Sequence, residues 1–464
     1  MELALKTLTI THPIRAFSVT WLGLVVSWFG SGLTNFAIGT HLYQSTGSTT
    51  QYSLFNFFYF VPMLVMTPVS GALVDRWDRR WAMLLADIGG AVASLLLCAL
   101  VFLSDAGLWR LELWHFFIPI ALGSTFSATH LPAYYAATSL LVPKEHLGRA
   151  NGMIELAFGA GQILSPLAAG FLLGHVGLKG MVLIDVASFA FSITTLLIVR
   201  FPAPPPPGAE QLAQRKSLLR ETAEGWRFIR ERPGLVHLTA FFALLNLSTG
   251  MVIVLITPLV LSFANVSTLG MVMSFAGVGM VVGAVVMSMW GGPKRRIHGV
   301  LGFYLLSALA LLAASLPPSA PVVAGGAFVY LMCSPLVLSP MQAIWQSKVP
   351  AGLQGRVFSV RRMITLAAPP LAALLSGPLS DRVCEPLLAP GGALANSVGR
   401  VIGVGPGRGV ALIFVVLGLL IITHTLLSLL SPRIRNVEDE LPDALAEQDT
   451  APQPAPAASV SPAL

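Results

Sequence analysis

Charged residues are scarce in this sequence. Only 11% of its 464 residues are Asp, Glu, Lys or Arg, whereas 55% are apolar. A soluble protein of this length needs far more charge to cover its surface, so the composition excludes a soluble globular fold and predicts that apolar side chains face lipid. A net charge of +7 would suggest a nucleic-acid partner in a soluble domain. The basic residues of this chain instead follow a membrane topology, so no nucleic-acid partner is expected.

Cysteine is equally rare, and motifs of enzyme chemistry are missing. The three cysteines, Cys98, Cys333 and Cys384, are too widely separated for a metal or redox motif, which predicts no metal site and no disulfide framework. The sequence has no phosphate loop, no nucleophile elbow and no HExxH motif. We therefore expect no enzyme activity, no cofactor and no direct use of ATP.

Long apolar runs make up most of the chain. Most of them reach the roughly 20 residues that a helix needs to cross a bilayer. Only helices and closed barrels satisfy the backbone in lipid, and continuous apolar runs differ from the alternating pattern of barrel strands. The sequence therefore predicts an all-α membrane protein with twelve transmembrane helices. The runs cover residues 16–42, 52–74, 81–104, 113–139, 152–174, 180–200, 236–262, 267–290, 299–316, 321–344, 361–379 and 409–430.

The basic residues indicate how these helices are oriented. All but five of the 28 Lys and Arg residues lie in the even-numbered connections and the two tails. The positive-inside rule therefore puts both termini in the cytoplasm, which an even number of spans requires. The N-terminal stretch 1–14 shows no signal-peptide cleavage site. We expect a multi-pass protein of the bacterial inner (cytoplasmic) membrane.

Two polar segments divide the chain into four parts. Residues 201–235 begin with a proline run typical of an extended linker, followed by a predicted helix Ser217–Arg232. This helix is amphipathic and basic, so it could lie on anionic lipid head groups or simply connect the bundles. Residues 433–464 are acidic and then rich in Pro and Ala, which predicts a disordered cytoplasmic tail. The remaining parts, 1–200 and 236–432, are predicted six-helix bundles.

The two bundles resemble each other in sequence. Residues 142–149 and 349–356 share Val, Pro, Gly and Arg at a constant offset of 207. The residues around Asn35 and Asn246 also coincide, and paired arginines end the loops after the second and eighth runs. Three coincidences in matching order indicate an internal duplication. A parallel repeat of this kind puts the binding site between the halves, near the middle of the membrane.

The loop after the second run carries the most specific motif. Gly71, Asp75, Arg76, Arg79 and Arg80 follow the spacing G-x-x-x-D-R-x-x-R-R. This spacing resembles a motif of the major facilitator superfamily, and the resemblance extends over essentially the whole chain. It implies a fold of two pseudo-symmetric six-helix bundles. It also implies that Asp75 pairs with cationic groups and helix ends, and so latches one conformation. A loop that only fixes the topology would need the basic residues but not this spacing.

A second motif lies in the fifth run. Gly161, Ser165, Pro166, Ala169 and Gly170 are similar to the antiporter motif G-x-x-x-G-P-x-x-G-G, with small residues in place of two glycines. Small residues let helices approach closely, and a proline kinks a helix. The resemblance implies export rather than import, although close packing alone would also favour these residues.

Further stretches resemble the macrolide-efflux branch of the superfamily, the third group of drug:proton antiporters. This resemblance implies efflux. The branch also includes siderophore exporters, with lysophospholipid carriers as relatives. One feature departs from the pattern, because the fourth run lacks the buried arginine of many proton-coupled drug exporters. The stretches are 132–152, 185–192, 381–387 and 406–409.

Three carboxylates lie inside the predicted helices. A charge near the bilayer centre costs about 3 kcal/mol, so Asp87, Glu155 and Asp185 each need a partner, water or a proton. Asp185 is a candidate proton site or a packing residue, and Asp87 could simply pair with the arginines at the start of its helix. The repeat places Arg362 opposite Glu155, which predicts a cytoplasmic gate or a solvated helix-end charge. His130 could shuttle protons or be packed and hydrogen-bonded.

Polar residues in other runs are candidates for the substrate cavity. Amide and phenol groups can hydrogen-bond an amphipathic cargo, although such residues also occur at helix contacts. The candidates are Asn35, Asn56, Tyr134, Gln162, Asn246 and Gln342.

Together these features predict a secondary active transporter that exports amphipathic or hydrophobic small molecules, such as macrolide-type drugs. Alternating access of the two bundles and proton coupling are the expected mechanism. A siderophore exporter or lysophospholipid carrier of the same fold is the alternative, and a membrane sensor or assembly factor without transport is a remote one. The expected partners are a small-molecule substrate, protons and membrane lipids.

Overall fold

The structure, a computed structural model, is helical as the sequence predicts. It describes residues 13–143, 146–199, 201, 218–432 and 438. A π-helical turn, Leu379–Cys384, extends the eleventh helix. The helices are α1 (Pro13–Thr46), α2 (Thr49–Arg76), α3 (Arg79–Asp105), α4 (Leu113–Leu141), α5 (Leu147–Ile198), α6 (Leu218–Arg230), α7 (Pro233–Leu261), α8 (Val266–Trp290), α9 (Arg296–Ala314), α10 (Ala320–Lys348), α11 (Ala351–Pro378), α12 (Glu385–Leu388), α13 (Gly399–Ile402) and α14 (Arg408–Leu430).

In the described part of the chain, ten helices are long and apolar enough to cross a membrane. The 52-residue helix α5 counts once among them, although Gly177 divides it into two limbs, 147–176 and 178–198. Gly177 has φ 64°, a left-handed conformation that favours glycine because a side chain would clash there. The 29-residue helix α4 is not among these ten, but it is long enough to cross a bilayer and packs against α2 and α3. With both limbs of α5 and with α4, the fold has its twelve spans.

Because successive spans run in opposite directions, their ends fall on two faces. We call the face where α1 begins and α14 ends the terminal face, and the opposite one the far face. The N-terminal half contains α1–α5, and the C-terminal half contains α6–α14. Buried apolar residues of the C-terminal half form one continuous cluster. Those of the N-terminal half are divided into several smaller clusters, one of which also includes Val254 and Ala373 of the C-terminal half. The division reflects polar side chains that lie between the N-terminal helices.

The two halves touch mainly along two helix pairs, α5 with α8 and α2 with α11, and to a smaller extent where α2 meets α7. Within the described residues, every hydrogen bond between the halves lies between mid-depth and the far face. Ser274 donates to the Ile163 carbonyl oxygen over 2.6 Å, and the Tyr52 hydroxyl donates to Thr257 over 3.1 Å. At the far face itself, Asp381 accepts hydrogen bonds from the first residues of α2. The structure therefore joins its halves at one side.

Helix ends agree with the repeat in the sequence. Helices α4 and α10 both contain 29 residues, and both bounds differ by the offset of 207. Each helix ends before a Val-Pro pair, and Val142 and Val349 both have extended backbone. A proline disfavours the helical conformation of the preceding residue, which explains why both helices stop at the same place.

The linker helix α6 belongs structurally to the C-terminal half. Phe228 and Ile229 are buried in the apolar cluster of that half. Glu224 and Arg356 form an ion pair of 2.9 Å. Gly225 lies directly against the Arg356 carbonyl, so that a side chain there would collide with the backbone of α11. Part of the helix surface that could have lain on lipid head groups therefore packs on α11. Trp226 remains 44% exposed.

Most of the predicted tail lies outside the described residues, as does linker segment 202–217. Glu438 is described, and its carboxylate accepts a hydrogen bond of 3.2 Å from the backbone N–H of Ile297 at the start of α9. The ammonium group of Lys348 donates to the Glu438 carbonyl oxygen. This residue of the tail thus touches α9 and α10 at the terminal face.

We predict that Gly283→Ala destabilises the C-terminal half. A Cβ atom on Gly283 would collide with the Met332 carbonyl group where α8 packs on α10. Overpacking of this kind costs about 1–3 kcal/mol. Thermal unfolding of the protein in detergent should therefore show a lower midpoint than wild type.

Gly302→Ala is the control, because a Cβ atom on Gly302 of α9 meets nothing within 4 Å. Alanine is also the better helix former, so this variant should be at least as stable as wild type. Equal midpoints for the two variants would show that the α8–α10 contact is not tight.

Candidate functional site

A polar seam runs through the N-terminal half between α3 and the second limb of α5. Asp87 and Ser94 are seven residues apart on α3, and Asp185 and Ser192 are seven apart on α5. Residues at this spacing lie on one face of a helix, about 10 Å apart along its axis. Two carboxylates therefore occupy two levels of one buried seam, and both are almost inaccessible.

Asp185 lies at the level of the seam nearer the far face and is surrounded by hydroxyl groups. Ser31 of α1 donates to its carboxylate over 3.0 Å and Ser94 of α3 over 2.5 Å. Ser188, one turn further along α5, contributes a longer contact of 3.4 Å. Gly30 makes this arrangement possible, since a side chain there would collide with Ser188. Three helices thus converge on one acidic group.

Asp87 lies at the other level and pairs with His130. The ring nitrogen Nε2 of His130 is 2.7 Å from one carboxylate oxygen, and Ser192 donates to the other over 2.6 Å. The prediction that Asp87 pairs with Arg79 or Arg80 was wrong. Arg80 lies two turns away along α3, so its guanidinium reaches the end of α5 instead of the seam.

Two aromatic residues enclose the imidazole ring of His130. Tyr134 stacks on it at 5.8 Å and Trp28 lies at 6.1 Å. Tyr134 is only 3% exposed, and its hydroxyl donates to the Thr20 carbonyl of α1. The cavity position predicted for Tyr134 is therefore not found, because α1 and α4 bury this residue inside the N-terminal half. Its place is next to the Asp87–His130 pair.

Within the described residues, the seam carries no lysine or arginine beside either carboxylate. Asp185 meets hydroxyl groups, and Asp87 meets an imidazole and a hydroxyl. An isolated buried carboxylate is costly unless it is paired or takes up a proton. Uptake of a proton would neutralise either carboxylate at a place where no lysine or arginine of the described residues does so. This is the chemistry the arrangement can perform.

Only part of the latch motif is described. The surroundings of Gly71 and the side chains of Asp75 and Arg76 are not described. Arg80 donates to the carbonyl oxygens of Leu196 and Leu197 over 3.0 and 2.8 Å, and so caps the end of α5. Arg79 is half-buried.

Glu155 and Arg362 do not form the predicted pair in this structure. The Glu155 carboxylate accepts a hydrogen bond of 2.5 Å from the Tyr135 hydroxyl on the neighbouring helix α4. Glu155 and Arg362 are both exposed. They belong to different halves and lie toward the terminal face, where no hydrogen bond joins the halves in the described part of the chain. The physical reason for the missing pair is this separation.

The antiporter-like motif packs against α1 on one side and against α8 of the other half on the other. The Ser165 hydroxyl donates to the Phe29 carbonyl over 3.3 Å. Gly170 faces the backbone of α8, where Gly270 lies directly against the Pro166 carbonyl. Ala169 is fully buried. By contrast, Gly161 has no atom within 4 Å of the place where its Cβ would be. Four of the five residues thus serve close packing, and Gly161 does not.

The remaining cavity candidates are less engaged. Asn56 and Asn246 each donate to a carbonyl of their own helix, over 3.0 and 2.8 Å. Asn35 is half-buried and Gln162 is exposed. Gln342 has a definite role, because its side-chain oxygen accepts a hydrogen bond of 2.6 Å from Arg361. The side chains of Asn35, Asn56, Gln162 and Asn246 therefore remain candidates for hydrogen bonds to a cargo.

Arg361 is a buried residue that was not among the predicted site residues. It is 6% exposed, and its guanidinium lies 4.4 Å from the ring centre of Phe242 and 5.2 Å from that of Trp345. No carboxylate of the described residues pairs with it. An aromatic surrounding can stabilise a guanidinium through the ring quadrupole. A signal was present in the sequence, namely an arginine inside an apolar run with aromatic residues on the neighbouring helices.

Twelve membrane-spanning helices in two repeated halves, with buried ionisable groups inside and a contact at one side, define a membrane carrier. The sequence pattern of the Major Facilitator Superfamily matches residues 20–373, and the chain belongs to this superfamily.

Named relatives and solved structures agree with this family. The chain is 29% identical over 390 residues to macrolide efflux protein A of Streptococcus pyogenes, covering 79% of this chain and 90% of that protein. It is 30% identical over 226 residues to the enterobactin exporter EntS of Escherichia coli, about half of each chain. A bacterial homologue of the human lysosomal transporter Spinster, solved in an inward-facing conformation, has a TM-score of 0.65 at 13% identity and covers 96% of this chain. This last likeness concerns the fold.

We predict that Asp87 and His130 stabilise the fold as a pair. Asp87→Ala and His130→Ala should each lower the free energy of unfolding in detergent, because each leaves a buried polar partner unsatisfied at a cost of about 1–3 kcal/mol. In a double-mutant cycle the two changes should couple by about 1 kcal/mol or more.

His175→Ala serves as the control for loss of an imidazole, since His175 is exposed and its hydrogen bond among the described residues is to the Phe171 carbonyl of its own helix. Additive effects of Asp87→Ala and His130→Ala would contradict the pairing.

Proposed function

We propose that this protein is a secondary active transporter that exports amphipathic or hydrophobic small molecules, macrolide-type compounds among them. In this proposal the two halves work by alternating access, and protons moving inward drive export. The observation that carries it is the one-sided contact between two repeated halves, because a carrier must close one side while the other is open. The similarity to macrolide efflux protein A over most of both chains supports the choice of cargo.

The distribution of basic residues supports the orientation in the inner membrane. The loops and tails at the terminal face contain most of the Lys and Arg residues. This distribution favours a cytoplasmic location for that face and for both termini. The far face is then the outer side. With its halves joined at the outer side, the structure corresponds to the inward-facing state of the transport cycle.

We assign proton coupling to the seam of the N-terminal half. Asp185 has hydroxyl partners on three helices and no cation beside it among the described residues. Its charge can be removed by a proton without breaking an ion pair, and the hydroxyls can reorient to either state. The Asp87–His130 pair provides a second titratable site about two turns away, on the terminal-face side.

In the outward-facing state, the terminal face has to close. Glu155 and Arg362 lie toward that face on opposite halves, and their separation here fits an open gate that pairs after closure. Asp75 is proposed as the latch of that closed state. Tyr135 would lose the Glu155 carboxylate when the gate pair forms.

A second cargo class is favoured by one specific observation. Arg361 is a buried cation in the C-terminal half whose neighbours are aromatic rings and the Gln342 amide. Such a group suits an anionic cargo, as a siderophore would be, and the enterobactin exporter is related over about half of this chain. A lysophospholipid would present a phosphate to the same residue.

Cargo identity can be tested in a bacterial strain that lacks its own macrolide and siderophore exporters. Expression of this protein should raise the macrolide concentration that the strain survives and lower intracellular accumulation of a labelled macrolide. Restored siderophore secretion without macrolide resistance would favour the second class. Absence of both, in cells that contain the protein in the membrane, would contradict the proposal.

We predict that Asp185→Asn abolishes proton-driven uptake of the cargo into inverted membrane vesicles. The amide has nearly the same size, and its oxygen can still accept from one serine hydroxyl while its NH2 group donates to another, but it cannot take up a proton. Vesicle uptake under an imposed pH gradient measures the effect, with protein amounts matched by immunoblot.

Asp105→Asn is the control for this experiment. Asp105 is 64% exposed and pairs with Lys179 within the N-terminal half. Its replacement should leave uptake unchanged. Normal uptake by the Asp185→Asn variant would remove Asp185 from the coupling mechanism.

A further inference from the structure

Asp381 reaches across the boundary between the two halves. It lies in the π-helical turn Leu379–Cys384 that follows α11, so it belongs to the C-terminal half. Its carboxylate touches the beginning of α2, which belongs to the N-terminal half. A π-helical turn adds a residue to the helix and changes the direction of the following side chains. This turn aims Asp381 at the start of a helix about 330 residues earlier in the chain.

The contact satisfies the first free backbone groups of α2. One carboxylate oxygen of Asp381 accepts from the Thr49 N–H over 3.1 Å, and the other accepts from the Thr50 N–H over 2.8 Å. The Ser48 hydroxyl donates to that second oxygen over 2.7 Å. The first N–H groups of a helix have no partner within the helix, and its N-terminus carries a partial positive charge. The carboxylate supplies both the acceptors and the opposite charge.

Close packing accompanies these hydrogen bonds. A Cβ atom on Gly377 of α11 would lie 2.5 Å from the Cα atom of Thr50 and 2.9 Å from the Cβ atom of Ser53. The two helices thus approach within backbone contact just before the π-helical turn. Only glycine allows that distance at position 377.

The related pair of helices on the other side of the molecule lacks this device. The start of α8 is capped by Asn265 of its own chain segment, whose side chain accepts from the Thr268 N–H over 2.9 Å. The repeat offset of 207 aligns Asp381 with Gly174, which has no carboxylate. The carboxylate at the far face is therefore a feature of one helix pair, whereas close glycine contact occurs in both pairs.

We propose that Asp381 is the outer gate latch of this transporter, holding the start of α2 and the end of α11 together in the inward-facing state. The inference rests on the proposed alternating access. Opening to the outside separates α2 from α11, so the three hydrogen bonds must break and the N–H groups of α2 must turn to water. The latch thus favours the inward-facing state and is released in every transport cycle.

The test is a distance measurement between spin labels on the two halves at the far face. Cysteines replace the exposed residues Leu108, after α3, and Val401, in α13, and alanines replace the three native cysteines. Double electron–electron resonance on the full chain in lipid nanodiscs gives the distribution of distances. Asp381→Ala should lower the ratio of the short-distance to the long-distance population about tenfold or more, the scale of one charge-assisted hydrogen bond. An unchanged distribution would overturn the proposal.

Further variants separate the latch from general damage. Asp381→Asn keeps the size of the side chain but removes its charge, and should shift the distribution in the same direction by a smaller amount. Gly377→Ala disturbs the same contact by steric means and should shift it as well. Asp105→Asn removes a carboxylate at the same face, one that pairs within the N-terminal half, and should shift nothing. If Asp381→Ala fails to reach the membrane, the Asp381→Asn variant is measured instead. A distance distribution equal to that of wild type in this variant would contradict the latch.

Transport assays on the same variants distinguish this proposal from the proposed function. If wild-type protein moves no cargo but the Asp381 variants shift the distances, the latch stands and the assigned function fails. If wild-type protein transports while all variants keep the wild-type distances, the function stands and the latch is wrong.

Discussion

A bilayer offers no hydrogen bonds, so every polar group inside these helices must find a partner on the protein. This constraint explains why α1, α3, α4 and the second limb of α5 meet along one seam. Asp185 collects hydroxyl groups from three helices, and Asp87 takes an imidazole and a hydroxyl. Glycines such as Gly30 are required where these helices come close enough to make the bonds. The seam therefore determines how the N-terminal half packs, and it divides the apolar core of that half into small clusters.

The two halves, although repeated, carry opposite chemistry. The N-terminal half buries the carboxylates of Asp87 and Asp185, whereas the charged residues buried in the C-terminal half are the cations Lys348, Arg361 and Arg408. The linker helix α6 is packed on α11 through Gly225 and the Glu224–Arg356 pair, so it forms part of the C-terminal half. The two halves therefore differ in the sign of the charge that they bury.

The apolar runs were sufficient to predict the helices, because lipid requires about the same length from every span. Local spacing was insufficient for side-chain partners. Asp87 and Arg80 are seven residues apart on one helix face, which suggested a pair, but two helical turns separate them and His130 on α4 is nearer. The contacts of Asp381 could not be predicted from the sequence either, because its partners lie at the start of α2, about 330 residues earlier in the chain. Such contacts depend on which helices pack against each other in the fold, and composition does not determine that.

A carrier needs a contact between its halves that is strong enough to close one side and weak enough to open again. A large apolar interface would hold the halves together permanently, and an exposed ion pair would contribute little. The contact between α2 and α11 lies between these limits. Its hydrogen bonds end on a helix N-terminus, where water can replace the carboxylate once the helices part. Gly377 brings the backbones together without adding apolar side chains that would have to be exposed on opening. The argument about glycine also applies to Gly170 and Gly270 between α5 and α8, so both helix pairs that join the halves approach closely through small residues.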